Sequence, residues 1–224
     1  MLQQVMSANK RFWWVNQRKT FNEEFSGGYI WSPKRKSNDT RNPYYENMQS
    51  VKPGDIVFSY REGQIVAIST AISSCYDAQK PEEFGASGEN WDSNGWKVDL
   101  KYTLINHPIS PTDHEELIAP LLPAKYSPLH KKNCKGRQLY LAEISNDLAA
   151  VLLNLLQKEG NEINLEAKSA TEANYRDQDN AAFEEKSESD IRNAAGVSST
   201  EKEQLIKSRQ EQGLLRKKNQ KFGK

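Results

Sequence analysis

The stretch that most constrains the fold of this chain runs from Trp96 to Tyr102, where Trp96, Val98, Leu100 and Tyr102 alternate with Lys97, Asp99 and Lys101. A period of two puts one set of side chains on each face of a strand, so the segment predicts a half-buried β-strand of fixed register. Five more runs bounded by turn residues read as strands: Phe12 to Val15, Gly28 to Trp31, Asp55 to Tyr60, Ile65 to Ala71 and Leu139 to Ile144. Glu62-Gly63 between the third and fourth of them predicts a tight hairpin. From Ser145 to Glu159 the period changes: a polar N-cap, Asp147 in the first turn, and Leu148, Val151, Leu152, Leu155 and Leu156 at helical spacing before Gly160. Such a stripe needs an apolar surface, so this helix is expected to pack on the sheet and close the domain. A second helix is expected over Asn42 to Ser50. Strands first and a covering helix last give an α+β class.

The 224 residues, 36% hydrophobic with five Trp, nine Tyr and seven Phe, can supply a core for one sizeable domain. That supply ends near Leu165. The following EAKSATEANYRDQDNAAFEEKSESD is polar, acid-rich and almost without aliphatic residues, which suits a solvated linker. From Thr200 the chain turns basic, and Thr200 with Glu203 makes a capping-box pattern opening a helix. The expected organisation is a folded unit over 1–165, an acidic linker over 166–199 and a basic helical connector over 200–224.

Several function classes are disfavoured. No run approaches the ~20 apolar residues that span a bilayer, and the first residues lack the apolar stretch of a secretory signal, so a cytoplasmic location without membrane contact is expected. Cys75 and Cys134 lie far apart in no metal-ligand spacing, and His107, His114 and His130 have no partners at such spacing. No metal, cofactor or catalytic residue is expected. Net charge is only +1, but it is unevenly spread: Lys34, Arg35, Lys36 and Arg41 crowd one loop, and Lys125, Lys131, Lys132, Lys135 and Arg137 crowd another. A local positive face suited to phosphates follows from that distribution.

At the end of the first strand, Asn16, Gln17 and Arg18 are side chains able to read a base edge, and Trp31 at the end of the second could stack on a base. Taken singly, an Asn there is an ordinary turn residue and a Trp an ordinary core residue. The order FWWVNQ, YIWSPK, GDIVFSY, a Trp-containing loop and WKVDLKYTLINHPI resembles the PUA-type barrels called EVE and YTH, over about Arg11 to Leu156. It is most similar to the EVE-like N-terminal readers of bacterial modification-dependent restriction endonucleases. The resemblance implies a small β-barrel with flanking helices that flips a modified base, a modified cytosine in DNA, into an aromatic cage. It makes Trp31 and Trp91 the walls, Asn16, Gln17 and Ser32 the contacts to the base, and Tyr60 the floor. Arg18, Lys34, Arg35 and Lys36 then hold phosphates. The last segment, TEKEQLIKSRQEQGLLRKKNQKFGK, is similar to the stretch before the HNH nuclease of those enzymes, which implies a reader module with a nuclease missing or supplied as a separate subunit.

Three other readings compete. A methylated-RNA reader would use the same stacking with a 2′-hydroxyl contact. A metal-dependent endonuclease would use Asp55, Asp77 and Asp99, although Asp55 in PGDIV fits a turn cap. A protein-interaction module would leave the Leu148–Leu156 stripe exposed.

Overall fold

The computed structural model describes residues 10–163, apart from 37, 86, 88 and 90, together with Glu203. The linker and connector expected over 166–224 therefore lie outside the described residues, Glu203 excepted.

Among the described residues seven strands are present: β1 (Phe12–Asn16), β2 (Tyr29–Pro33), β3 (Ile56–Arg61), β4 (Gln64–Ala71), β5 (Tyr76–Gln79), β6 (Asn94–Ile109) and β7 (Leu141–Ile144). Within residues 10–163 four α-helices accompany them: α1 (Phe21–Gly27), α2 (Pro43–Glu46), α3 (Glu115–Ile118) and α4 (Asn146–Lys158). The sheet runs β2-β6-β4-β3-β1-β7, with β5 paired to β6 beside β2. All neighbours are antiparallel except β1 and β3, which pair in parallel from Phe12 opposite Ile56 to Asn16 opposite Tyr60.

The alternation in β6 holds for Val98, Leu100 and Tyr102, which are buried, while Trp96 is half-buried. At 16 residues this strand is longer than its apolar alternation, because its first half pairs with β2 and β5 and its second with β4. The pairing with β4 shifts register between Ile65 and Ala67. Such a bulge bends the sheet, and here the bend lets one long strand serve two sets of neighbours. Glu62 and Gly63 join β3 to β4 with φ of 49° and 91°, the left-handed pair a two-residue hairpin needs.

Strand β1 is buried on both faces. Phe12 and Trp14 point into one cluster with Ile56, Phe58 and the leucines of α4, and Trp13 and Val15 into another with Val57, Val98 and Leu141. Both tryptophans are thus core. The α4 stripe is what covers the first face: Leu148, Leu152, Leu155 and Leu156 are all buried there, so the stripe is no free protein-docking surface. Ser145 caps the helix by accepting from Leu148 N at 3.2 Å. Asn161 ties its far end to β6, accepting from His107 N and donating to His107 O, both at 3.0 Å.

The opposite ends of the sheet meet through side chains. Tyr140, just before β7, accepts a hydrogen bond at its hydroxyl from Trp31 N of β2 at 2.9 Å. The sheet therefore curls into a small barrel whose last gap is closed by side chains, in keeping with the expected α+β barrel. Helix α1 sits at this gap. Its Phe21 and Phe25 stack with centroids 5.6 Å apart and enter the second cluster, and Gly28 ends it with φ of 66°.

Candidate nucleic-acid interface

The first candidate group is aromatic. On β2 the rings of Tyr29 and Trp31 share a face, because residues two apart on a strand do. Phe84, from the turn Glu82–Phe84, and Trp91, from the loop before β6, cover them. The indoles of Trp31 and Trp91 are stacked with centroids 6.2 Å apart and planes at 27°, and Phe84 stands edge-on to both, at 5.8 Å and 6.1 Å. Trp31 is fully buried and its Nε1 donates to Ala78 O at 3.3 Å, whereas Trp91 is half-buried. Lys97 Nζ lies 3.9 Å from the centre of the Tyr29 ring, whose hydroxyl donates to Glu83 at 2.8 Å. The covering loop is thereby tied to the sheet by a hydrogen bond as well as by ring contacts.

The second group is polar and buried, and its centre, Glu24, escapes the sequence reading. Glu24 accepts four hydrogen bonds: Trp31 N at 2.8 Å and the Tyr140 hydroxyl on Oε1, Gln17 Nε2 at 2.7 Å and Thr20 Oγ1 at 2.9 Å on Oε2. Full burial pushes its carboxyl up to about 7, against the four donors that favour the charged form. The phenols of Tyr102 and Tyr140 are raised well above their ordinary value by burial and by this carboxylate. One signal for Glu24 was present: in FNEEF, a residue three after Phe21 and one before Phe25 shares their helical face. Phe84 in the loop EEFG carried no periodic signal.

The residues named from the sequence are distributed over these groups and beyond them. Trp31 and Trp91 come together. Gln17 is wholly buried beside Glu24 and donates also to Tyr102 Oη at 3.0 Å. Ser32 is buried with its hydroxyl unpartnered. Asn16 is half-buried, and its side-chain nitrogen donates to Arg137 O at 2.9 Å. Tyr60 lies in the other core cluster, 5.0 Å from Trp14, over Gly136, where a methyl group would meet its ring at 2.5 Å.

The charged residues divide in the same way. Lys34 pairs with Asp77 of β5 at 2.6 Å, Arg35 with Asp39 at 3.4 Å, and Arg41 with Glu46 of α2, so three of the four cations of the 34–41 loop have acidic partners and exposed Lys36 has none within 4.0 Å among the described residues. Exposed Arg18, Lys131, Lys132, Lys135 and Arg137 have no acidic partner within 4.0 Å among the described residues. The loop carrying the last four is tightly built: His130 N donates to Lys135 O and Cys134 N to His130 O, both at 2.8 Å, with Cys134 in the left-handed region at φ 48°. Asn16 fastens this loop to the end of β1, and Tyr140, three residues after Arg137, fastens it to Trp31.

The carboxylates of the nuclease reading are each engaged structurally. Asp55 accepts from Trp13 Nε1 at 2.9 Å, Arg11 N at 3.1 Å and Lys52 N at 3.0 Å, Asp77 pairs with Lys34, and Asp99 accepts from the Tyr76 hydroxyl at 2.9 Å. Among the described residues no group of three or more His, Cys, Asp or Glu is placed to hold a metal ion.

No family model matches the chain, and no curated protein matches it. Among solved structures it is similar to the YTH domain of Zygosaccharomyces rouxii MRB1 in complex with N6-methyladenosine RNA, at 13% identity and a TM-score of 0.44 over 67% of this chain and 88% of that one. It is likewise similar to human THYN1 in complex with 5-methylcytosine containing DNA, at 13% identity and a TM-score of 0.42 over 69% and 100%. A third similar structure is Rpa0253 from Rhodopseudomonas palustris, at 20% identity and a TM-score of 0.41 over 67% and 92%.

Proposed function

We propose that this chain is a nucleic-acid-binding module that takes a modified base, a modified cytosine in double-stranded DNA, between Trp31 and Trp91. The observation that carries the proposal is the stacked indole pair itself: one ring is fixed in the sheet, the other rides on a loop, and Tyr140 links the fixed one to an exposed, unpaired basic loop. Two rings with a base between them need about 7 Å from centroid to centroid, since each face contact takes roughly 3.5 Å. At 6.2 Å the pair is closed on itself. Entry of a base requires Trp91 to move outward, and Trp91 itself takes no part in the β2–β6 ladder.

Base–aromatic stacking contributes on the order of 1–3 kcal/mol per base, enough to offset much of the few kcal/mol that flipping a base costs. Arg18 and the Lys131–Arg137 loop are assigned the phosphates, which position the strand without reading it. The similarity of the last 25 or so residues to a connector before an HNH nuclease supports a place in a modification-dependent restriction system, with cleavage carried out by a nuclease subunit and not by this chain.

The test is binding to identical duplexes carrying cytosine, 5-methylcytosine, 5-hydroxymethylcytosine, its glucosylated form or N6-methyladenine, with matched RNA strands as competitors. Preference for one modified duplex supports the proposal. Equal affinity for all of them would overturn it, and preference for methylated RNA would assign the module to RNA.

A further inference from the structure

Tyr126 combines two properties that work against each other in a residue serving only the fold. Its ring is 59% exposed, and its backbone stands in the left-handed region at φ 59°. Four non-glycine residues among those described have a positive φ, and Tyr126 is the aromatic one of them. That region is unfavourable for a bulky side chain, whereas Gly or Asn enters it readily. Either would serve the turn better, and a ring left mostly in water offsets little of the strain through burial. What a Tyr provides at this place is an aromatic surface.

That surface is held out from two sides. Tyr44 on α2 meets it with centroids 5.9 Å apart and planes at 81°. A perpendicular contact covers at most one face of one of the two rings, so with this exposure a face of Tyr126 is open to solvent. Tyr44 is itself fixed, its N–H donating to Asn42 Oδ1 at 3.1 Å, and its neighbour Tyr45 meets Tyr140 with centroids 6.4 Å apart. On the other side Tyr126 stands at the root of the basic loop. The Ser127 hydroxyl donates to Leu129 O at 2.7 Å, Arg137 N donates to Pro128 O at 3.0 Å, and Leu129 pairs with Gly136. Lys125, next to Tyr126, is exposed and, like Lys131, Lys132, Lys135 and Arg137, has no acidic partner within 4.0 Å among the described residues. An open ring face at the foot of a loop of unpaired cations is the combination of stacking surface and backbone charge that holds unpaired nucleic acid.

We propose that Tyr126, backed by Tyr44, is a second stacking site of this chain, taking an unpaired nucleobase of a strand whose phosphates lie on Lys125 and the Lys131–Arg137 loop. The proposal rests on the reader described above and adds a subsite outside the Trp31–Trp91 pair. Every base has a π-face, so this site ranks bases neither by identity nor by modification. It favours an unpaired base over a paired one, whose faces are covered by its neighbours in the duplex stack. Selection for the modification stays with the indoles.

The probes are single-stranded DNA oligonucleotides with one central cytosine or 5-methylcytosine, the same strands with a single abasic site walked along the flanking positions, and the blunt duplexes of the same sequence. Tyr126→Asn removes the ring and suits the left-handed backbone, so the denaturation midpoint of the full chain should not fall. This variant should bind the intact strand roughly tenfold more weakly, the scale of one base–aromatic stack. In the wild type one abasic position away from the central base should cause the same loss, and Tyr126→Asn should lose nothing further there. Tyr126→Phe should bind like the wild type, and all three proteins should bind the blunt duplex equally. Four results overturn the proposal: an intact-strand affinity that Tyr126→Asn leaves unchanged, a loss that adds to that of every abasic position, an equal loss on the blunt duplex, or no binding of the single strand. Failure of the wild type to prefer 5-methylcytosine over cytosine in strand and duplex alike overturns the reader, a result read without any Tyr126 variant, so the two failures are distinct.

Discussion

Gly95 lies so close beneath the indole of Trp31 that a methyl group on it would come within 2.2 Å of two ring carbons. The carbonyl of Ser32, at 2.5 Å, closes the other way out. Gly95→Ala must therefore displace the indole or part β2 from β6. Overpacking of this kind costs about 1–3 kcal/mol. A lowered denaturation midpoint with loss of modified-base preference is expected, read by chemical denaturation and by oligonucleotide binding.

The two walls should respond differently to truncation. Trp31 is fully buried and packs on Tyr29 and Phe84, so Trp31→Ala is expected to cost about 3–5 kcal/mol of stability along with binding. Trp91 is half-buried on a loop, so Trp91→Ala should leave the denaturation midpoint nearly unchanged and remove on the order of 1–3 kcal/mol of modified-base affinity. Unfolding of the Trp91 variant would make that ring a structural support.

Salt titration distinguishes the two basic loops. Charge reversal at Lys131, Lys132, Lys135 and Arg137 should flatten the dependence of affinity on salt by about 0.9 for each phosphate that is no longer neutralised, equally for modified and unmodified duplexes. Reversal at Lys34, Arg35 and Lys36 should do less, because Lys34 and Arg35 already have acidic partners at 2.6 Å and 3.4 Å. The opposite ranking would return the phosphates to the first loop.

Glu24 also predicts a pH dependence of stability. Its folded value of about 7 lies above the ordinary 4.5, so the folded state holds a proton that the unfolded chain releases. Its contribution is complete below pH 4.5 and declines as pH rises towards 7, by on the order of 3 kcal/mol across that window. Glu24→Gln should flatten this decline in urea denaturation measured from pH 4.5 to 7.5, and an unchanged slope would place the carboxyl's titration elsewhere.

Truncation tests the boundary expected near residue 165. Asn161 bonds to His107 and to Leu156 O, and Ile163 packs on the core cluster. A chain ending just after Ile163 should keep its fold and modified-base preference, with at most a salt-dependent loss of non-specific affinity. One ending at Gly160 should lose stability measurably.

Much of the strand layout was legible because burial imposes a period: Val98, Leu100 and Tyr102 announce their own face, and Leu148 to Leu156 announce theirs. The edge strand β5, reading Tyr-Asp-Ala-Gln, was not, since an edge with mostly exposed side chains carries no alternation. Helix α1 was missed because its seven residues give only two turns of pattern. For the site, Trp31 and Trp91 could be paired only through family resemblance. The engagement of Gln17 with Glu24, and of Lys34 with Asp77, joins residues through tertiary geometry that no local spacing encodes.

Strand β1 takes its place between β3 and β7, and the flanking Arg11–Glu143 contact joins residues 132 positions apart. During synthesis the FWWVN segment thus has one edge unpaired until nearly the whole domain has emerged. Contacts of such long range close slowly, and an apolar strand left waiting is prone to pair with a neighbouring nascent chain. Yield of this protein in a cell is accordingly expected to depend on the timing of its last strand and helix, and slower growth at lower temperature should then raise the soluble fraction.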